Sequence, residues 1–257
     1  MIIEEQLNKL NLQFLKENIE AFTSRIKKNH TSAITWWLDQ EIEALRLRSE
    51  QRRLSNSKLG SSIGVNEFQW DALEGPKDLQ LQIANLIKKD FVSLHRNVVL
   101  IGAEGVGKTA LAKILGYQSV LLGHSCLFAT ASSMISDLNL AVQPQNRVRT
   151  LQKYVRPSLL ILDEIGYVSC NENSADNLFQ VISKRYEEKR SVIVTTNLAF
   201  CDWPQALGGA HCATPIVDKL IENSSVINLL GPSFRLVMHE NDNFLKNTTE
   251  SDTKEKN

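Results

Sequence analysis

Residues Gly102-Ala103-Glu104-Gly105-Val106-Gly107-Lys108-Thr109 match the pattern G-x-x-x-x-G-K-[ST], and no other feature of the chain narrows its fold as much. The pattern carries chemistry only between a strand and a helix. Asn97-Val98-Val99-Leu100-Ile101 precedes it as a short apolar run and reads as a buried strand, and Ala110-Leu111-Ala112-Lys113-Ile114-Leu115 follows it and reads as a helix. The glycines let backbone N–H groups turn toward a phosphate with no Cβ in the way. The helix N-terminus adds partial positive charge at the same spot. The backbone of Gly102, Ala103, Glu104, Gly105, Val106, Gly107, Lys108, Thr109 and Ala110 is therefore expected to line a triphosphate site. In it Lys108 reaches the β- and γ-phosphates, and the Thr109 hydroxyl holds Mg²⁺, which takes hard oxygen ligands.

A second stretch fits the first. Leu159-Leu160-Ile161-Leu162-Asp163-Glu164 places four apolar residues ahead of two carboxylates. Such a run is a strand covered on both faces, as in a parallel sheet. Functional groups of open α/β sheets gather at the carboxyl ends of their strands, so both acids are expected to face the phosphate loop. Asp163 then belongs to the metal shell and Glu164 orients and polarises the attacking water. Ser191–Asn197 is a further buried strand ending in polar groups, and Asn197 can hydrogen-bond the attacking water or the γ-phosphate. Helices are expected over 77–89, 134–141, 148–154, 177–189 and 213–222, strands over 125–130 and 225–228, and a loop over 201–204. The charged stretch 184–190 reads as solvated, with Tyr186 available to the core.

The first sixty residues are of another kind. Leu12, Leu15, Ile19, Phe22 and Ile26 recur at helical spacing, as do Ile34, Trp37, Leu38, Ile42 and Leu45. Asn29-His30-Thr31-Ser32 between them predicts a break, with Ser32 capping the second helix. That helix ends in Arg46, Arg48, Arg52, Arg53 and Lys58, opposed in this reading only by Glu50. Ser55-Asn56-Ser57 and the Leu59–Ser62 stretch read as a small-residue linker. The organisation expected is a helical DNA- or partner-binding segment over 1–61, a nucleotide domain over 62–239 and a disordered polar tail over 240–257. A basic helix end beside a linker can dock on phosphates by counterion release, which nominates Arg46, Arg48, Arg52 and Arg53, with Arg147, Arg149, Lys153 and Arg156 as second choices.

Composition sets outer bounds. Formal net charge is zero over 257 residues, so a nucleic-acid partner has to be carried by local patches. The four cysteines Cys126, Cys170, Cys201 and Cys212 form no C-x-x-C pair and read as reduced thiols, the alternative being a metal site from Cys201, His211 and Cys212. With no membrane-length apolar run and no signal peptide, the chain reads as soluble and cytoplasmic.

Six ordered blocks, GAEGVGKTALAKILG, RPSLLILDEIGYV, NLFQVISKRYE, VIVTTNLAFCDW, IVDKLIENSSVI and GPSFRL, together resemble the IstB family. Its members are ATP-binding helpers of insertion-sequence transposition, related to the helicase loader DnaC and to the AAA+ initiator group. The resemblance implies an α/β AAA+ P-loop NTPase with a central parallel sheet behind a small all-α segment. It implies ATP and Mg²⁺ as cofactors, assembly as a homo-oligomer on DNA, and engagement of a transposase. The same chemistry would serve a DnaC-like loader with a replicative helicase as partner, or a nucleotide-gated DNA adaptor with little hydrolysis. Asn197 matches the family's first sensor, and Arg235 matches an arginine that approaches nucleotide or a neighbour. The family's trans-acting arginine is replaced here by Lys219, which keeps the charge but loses the planar fork of donors.

Overall fold

The computed structural model describes residues 28–61, 79–167, 172–207 and 209–234, with the single positions 5, 10, 20, 68 and 70. The apolar series Leu12–Ile26, Arg235 and the 240–257 tail lie outside the described residues. Contacts divide the chain into two units, Met1–Ser55 and Asn56–Asn257.

In the first unit the expected break at Asn29–Ser32 is absent. One helix, α1, runs Lys28–Ser57 and includes all four residues. Turn formers are weak helix breakers and a long helix readily overrides them. Ser55-Asn56-Ser57, read as linker, is the last turn of the same helix. The chain leaves it through Lys58 and Gly60, both with positive φ (57° and 70°), a common way to end a helix. Leu59 is buried and lies within 2.9 Å of the position a Cβ would take on Gly116. This glycine lets a helix approach the sheet closely.

The second unit alternates helices and strands: α2 (Leu79–Lys88), β1 (Asn97–Gly102), α3 (Lys108–Leu121), β2 (Cys126–Thr130), α4 (Ala131–Leu140), α5 (Pro144–Val155), β3 (Leu159–Asp163), α6 (Glu172–Glu187), β4 (Ser191–Thr196), α7 (Trp203–Ala206), α8 (Ala210–Ile221) and β5 (Ser224–Leu229). The five strands form one parallel sheet in the order β2-β3-β4-β1-β5. Helices cover both faces, so β3 and β4 are buried at every position, as their unbroken apolar runs require. Local caps agree with the sequence. The Thr130 side chain accepts the Ser133 N–H at the start of α4, and Pro144 opens α5 after a break at residues 141–143.

Two readings are corrected by burial. Residues 201–204 are not loop: Phe200–Asp202 is a 3-10 turn, and α7 starts at Trp203, which is buried in the core with Leu207, Ala213 and Ile216. The stretch 184–190 is not wholly solvated. Arg185 is fully buried and donates to the carbonyls of Tyr154, Val155, Pro157, Ser158 and Ser191 at 2.6–3.2 Å. It closes the C-terminal end of α5 onto the starts of β3 and β4. Tyr186, its neighbour, is exposed instead.

Candidate nucleotide site

The strand order decides what meets. β4 lies between β3 and β1, so the residues after β1, β3 and β4 share one edge of the sheet. The phosphate loop leaves β1 at Gly102. Gly105 and Gly107 take φ of 77° and 95°, a conformation in which a Cβ is strained, and Gly107 caps α3. A side chain at Gly105 would also collide with Ser233, and one at Gly107 would lie 3.2 Å from both Phe234 and Phe68. The Lys108 ammonium donates to the carbonyls of Gly102 (2.8 Å) and Ala103 (2.6 Å), which holds it over the loop.

Asp163, the buried last residue of β3, accepts the Thr109 hydroxyl at 2.9 and 3.1 Å. It also accepts the Thr195 hydroxyl at 2.5 Å. Glu164, one residue on, is exposed and has a left-handed φ of 61°. Its N–H donates to the Thr195 hydroxyl at 2.9 Å. Asn197 sits just beyond β4, against the turn that follows Glu164, and a Cβ on Gly166 would come within 2.5 Å of its Oδ1. The loop thus meets the acid-bearing strand at the Thr109–Asp163 contact, with Glu164 the next residue along. A glycine cradle beside Thr109 and Asp163 oxygens suits a magnesium-bound triphosphate.

Three features were not read from the sequence. Thr195 is buried within the sheet and touches both acids. Its signal was register: Leu162 pairs with Val194, which puts the next residues, Asp163 and Thr195, side by side. Phe68, Trp70 and Phe234 form an aromatic group, with ring centroids 4.7 Å apart for the first pair and 6.3 Å for Phe68–Phe234. The Phe234 N–H donates to the Gly105 carbonyl at 3.1 Å, so the GPSF stretch lies on the phosphate loop.

Lys219 stands apart from this cluster. Its ammonium lies 4.6 Å from the centre of the Tyr186 ring, and the Tyr186 hydroxyl donates to Glu222. The basic end of α1 is less open than expected. Glu50 is not its only counter-charge: Arg46 donates to Glu43 at 2.7 and 2.8 Å and to Glu50 at 3.1 Å. Arg48 pairs with Glu41 at 3.6 Å, and Arg53 donates to Ser49. Arg52 is exposed. Of the second choices, Arg147 donates to Asn177, Gln180 and the Leu138 carbonyl, Lys153 pairs with Asp137, and Arg149 and Arg156 are exposed. Among the described residues no cluster of three His, Cys, Asp or Glu could hold a metal; the Cys212 side chain is outside them, and Cys201 is exposed. No described helix is long and apolar enough to cross a membrane.

A family model described as "IstB-like ATP binding protein" matches residues 5–241. The chain is 32% identical over 237 residues to a Geobacillus stearothermophilus protein named for ATP binding in insertion sequence IS5376, covering 91% of this chain and 93% of that protein. It is 33% identical over 252 residues to the Pseudomonas aeruginosa counterpart of insertion sequence IS21, covering 96% and 94%. Among solved structures, AMPPCP-bound DnaA from Aquifex aeolicus is similar with a TM-score of 0.54 at 16% identity, over 68% of this chain and 52% of that one. The DnaC helicase loader gives 0.51 at 20% identity, over 62% and 97%. At such identities the likeness is one of fold, and it is the AAA+ P-loop fold.

Proposed function

This chain belongs to the IstB-like ATP binding protein family, and we propose that its site binds ATP with Mg²⁺ and hydrolyses it to ADP and phosphate. The observation that carries the reading is the Thr109–Asp163 hydrogen bond, which joins the phosphate loop to the acid-bearing strand in one site. The loop backbone and Lys108 neutralise the β- and γ-phosphates, and the rings of Phe68, Trp70 and Phe234 offer the base an apolar wall. Thr109 and Asp163 would hold Mg²⁺, which would screen the charge that builds on the phosphoryl oxygens. Glu164 takes the proton of a water as its oxygen attacks the γ-phosphorus and the bond to the ADP oxygen breaks. Asn197 orients that water. This is positioning and electrostatics, with no covalent intermediate.

The insertion-sequence relatives support a role as a transposition helper that assembles on DNA and engages a transposase. The site is then shared between copies, with Lys219 and Arg235 the candidates to act across the junction. The Lys219–Tyr186 contact favours a second reading, a nucleotide-gated adaptor with slow turnover, because the cation is held within its own subunit. The DnaC-like loader differs only in partner, and pull-down against a transposase and a replicative helicase separates the two.

Calorimetry with Mg²⁺-ATP and steady-state phosphate release, with and without DNA, test the reading together. The parent should bind ATP, and its specific activity should rise with protein concentration and with DNA. Lys108→Ala should lose about 100-fold or more in affinity, the scale of removing a charge-assisted contact to phosphate. Equal binding by parent and Lys108→Ala overturns the reading. ATP binding without turnover at any protein or DNA concentration leaves the adaptor.

A further inference from the structure

We propose that Thr195 is a positioning residue that holds Glu164 in its working geometry and ties it to Asp163. The proposal rests on the ATPase reading for its kinetic part alone. A threonine hydroxyl has one proton to give and lone pairs to receive with. At Thr195 the proton goes to Asp163 Oδ1, 2.5 Å away, and a lone pair receives the Glu164 N–H at 2.9 Å. Thr109 donates to the same carboxylate. A continuous chain therefore runs from the phosphate-loop hydroxyl through Asp163 and Thr195 to the backbone of Glu164.

The chain matters because Glu164 is strained. A non-glycine residue at φ 61° brings its Cβ too close to the following carbonyl oxygen, and it persists only where the surroundings over-determine it. Asp163 and Thr195 are both buried while Glu164 is exposed. The anchored part of the chain is thus the sheet, and the free part is the carboxylate. The bond from Glu164 N–H to Thr195 is what holds the peptide on the strained side. Without it the backbone relaxes toward negative φ and changes the direction in which the Glu164 carboxylate leaves the strand end. Asp163 keeps the Thr109 hydroxyl, so nucleotide binding is affected far less than turnover.

Thr195→Val keeps the shape and removes both hydrogen bonds. Thr195→Ser keeps both bonds and removes a methyl. Hydrogen exchange on the full chain is followed at Glu164, beside kcat for ATP and the affinity for a fluorescent ATP analogue. Thr195→Val should exchange at least tenfold faster at Glu164 and lose at least tenfold in kcat, with affinity within threefold of the parent. Thr195→Ser should restore each value to within threefold. Unchanged exchange at Glu164 in Thr195→Val overturns the proposal, as does Thr195→Ser behaving like Thr195→Val. Affinity and kcat falling together also overturn it, since a structural defect alone does that. If the parent binds ATP but never turns it over, the ATPase reading fails by itself, and exchange at Glu164 still decides for or against Thr195.

Discussion

Lys108 and Arg46 are both cations that the sequence marks out, and they sit in opposite physical situations. Lys108 is held over a glycine loop by two backbone carbonyls, which carry no net charge. Arg46 is half exposed and gripped by the carboxylates of Glu43 and Glu50, so its charge is already balanced in the chain. Arg185 belongs with Lys108, since it too donates to backbone carbonyls, and Lys153 belongs with Arg46. Backbone geometry fixes the first class. Neighbouring side chains, screened by salt, fix the second.

The largest test of that division is Arg185. Replacing it with Leu takes the donor from the buried carbonyl contacts of Tyr154, Val155 and Ser191 and from the part-buried ones of Pro157 and Ser158. Burial already pushes this guanidinium down to about 9, with the charge of Arg190 adding to it, so it remains charged at neutral pH. Breaking a buried polar network from one side costs about 3–5 kcal/mol. Urea unfolding of Arg185→Leu should show that loss, and a loss under about 1 kcal/mol, the scale of an ordinary surface change, breaks the comparison.

A second test concerns Lys219, whose cation rests on an aromatic face rather than on either kind of oxygen. Lys219→Arg supplies a planar fork that can grip a phosphate from a distance. The expectation is an ATPase rate raised about tenfold at high protein concentration, well short of the full worth of a trans-acting arginine. An unchanged rate means that this position does not act across a subunit junction.

Burial also explains how much was legible beforehand. The strands β1, β3 and β4, the phosphate loop and the Asp163–Glu164 pair could be read because each is fixed by local pattern: an apolar run, a glycine spacing, a strand end. Thr195 was hidden because its role depends on which strands are neighbours, and the order β2-β3-β4-β1-β5 is not local information. Arg185 was misread for a related reason. A charged residue in a charged stretch looks solvated until the chain brings five carbonyls to it. The break at Asn29–Ser32 failed because local turn preference is worth only tenths of a kcal/mol per residue. The exposed arginines of α1 were legible as a cluster, but their pairing with Glu41, Glu43 and Glu50 depends on helical phase, at spacings of three, four and seven residues.

The arginines themselves give a smaller test. Arg52 is exposed, whereas Arg46 must first release Glu43 and Glu50. Arg52→Ala should weaken binding to a duplex about three- to fivefold and lower the salt slope by about one. Arg46→Ala should change the affinity less than twofold. Equal losses for the two variants would mean that the intrahelical pairs open at no cost, and surface ion pairs would then say nothing about which cations reach DNA.

The smallest effect is at the pair Lys153–Asp137. Hydrogen bonds from Lys153 and then Tyr154 hold the Asp137 carboxyl below its ordinary value, against the opposing effect of burial. A carboxylate with a depressed folded pKa contributes stability that is fully present above its unfolded value, about 3.9, and is lost as pH falls through the folded one. Both side chains are about two-fifths exposed (39% and 41%), so solvent and salt screen the pair. Asp137→Asn should therefore melt slightly below the parent at pH 7. The gap should close as pH falls below about 4, and shrink in strong salt. A gap that stays constant with pH would assign the contribution to the Tyr154 hydrogen bond rather than to charge. That outcome would move Lys153 out of the carboxylate-paired class and leave Arg46 as its clearest member.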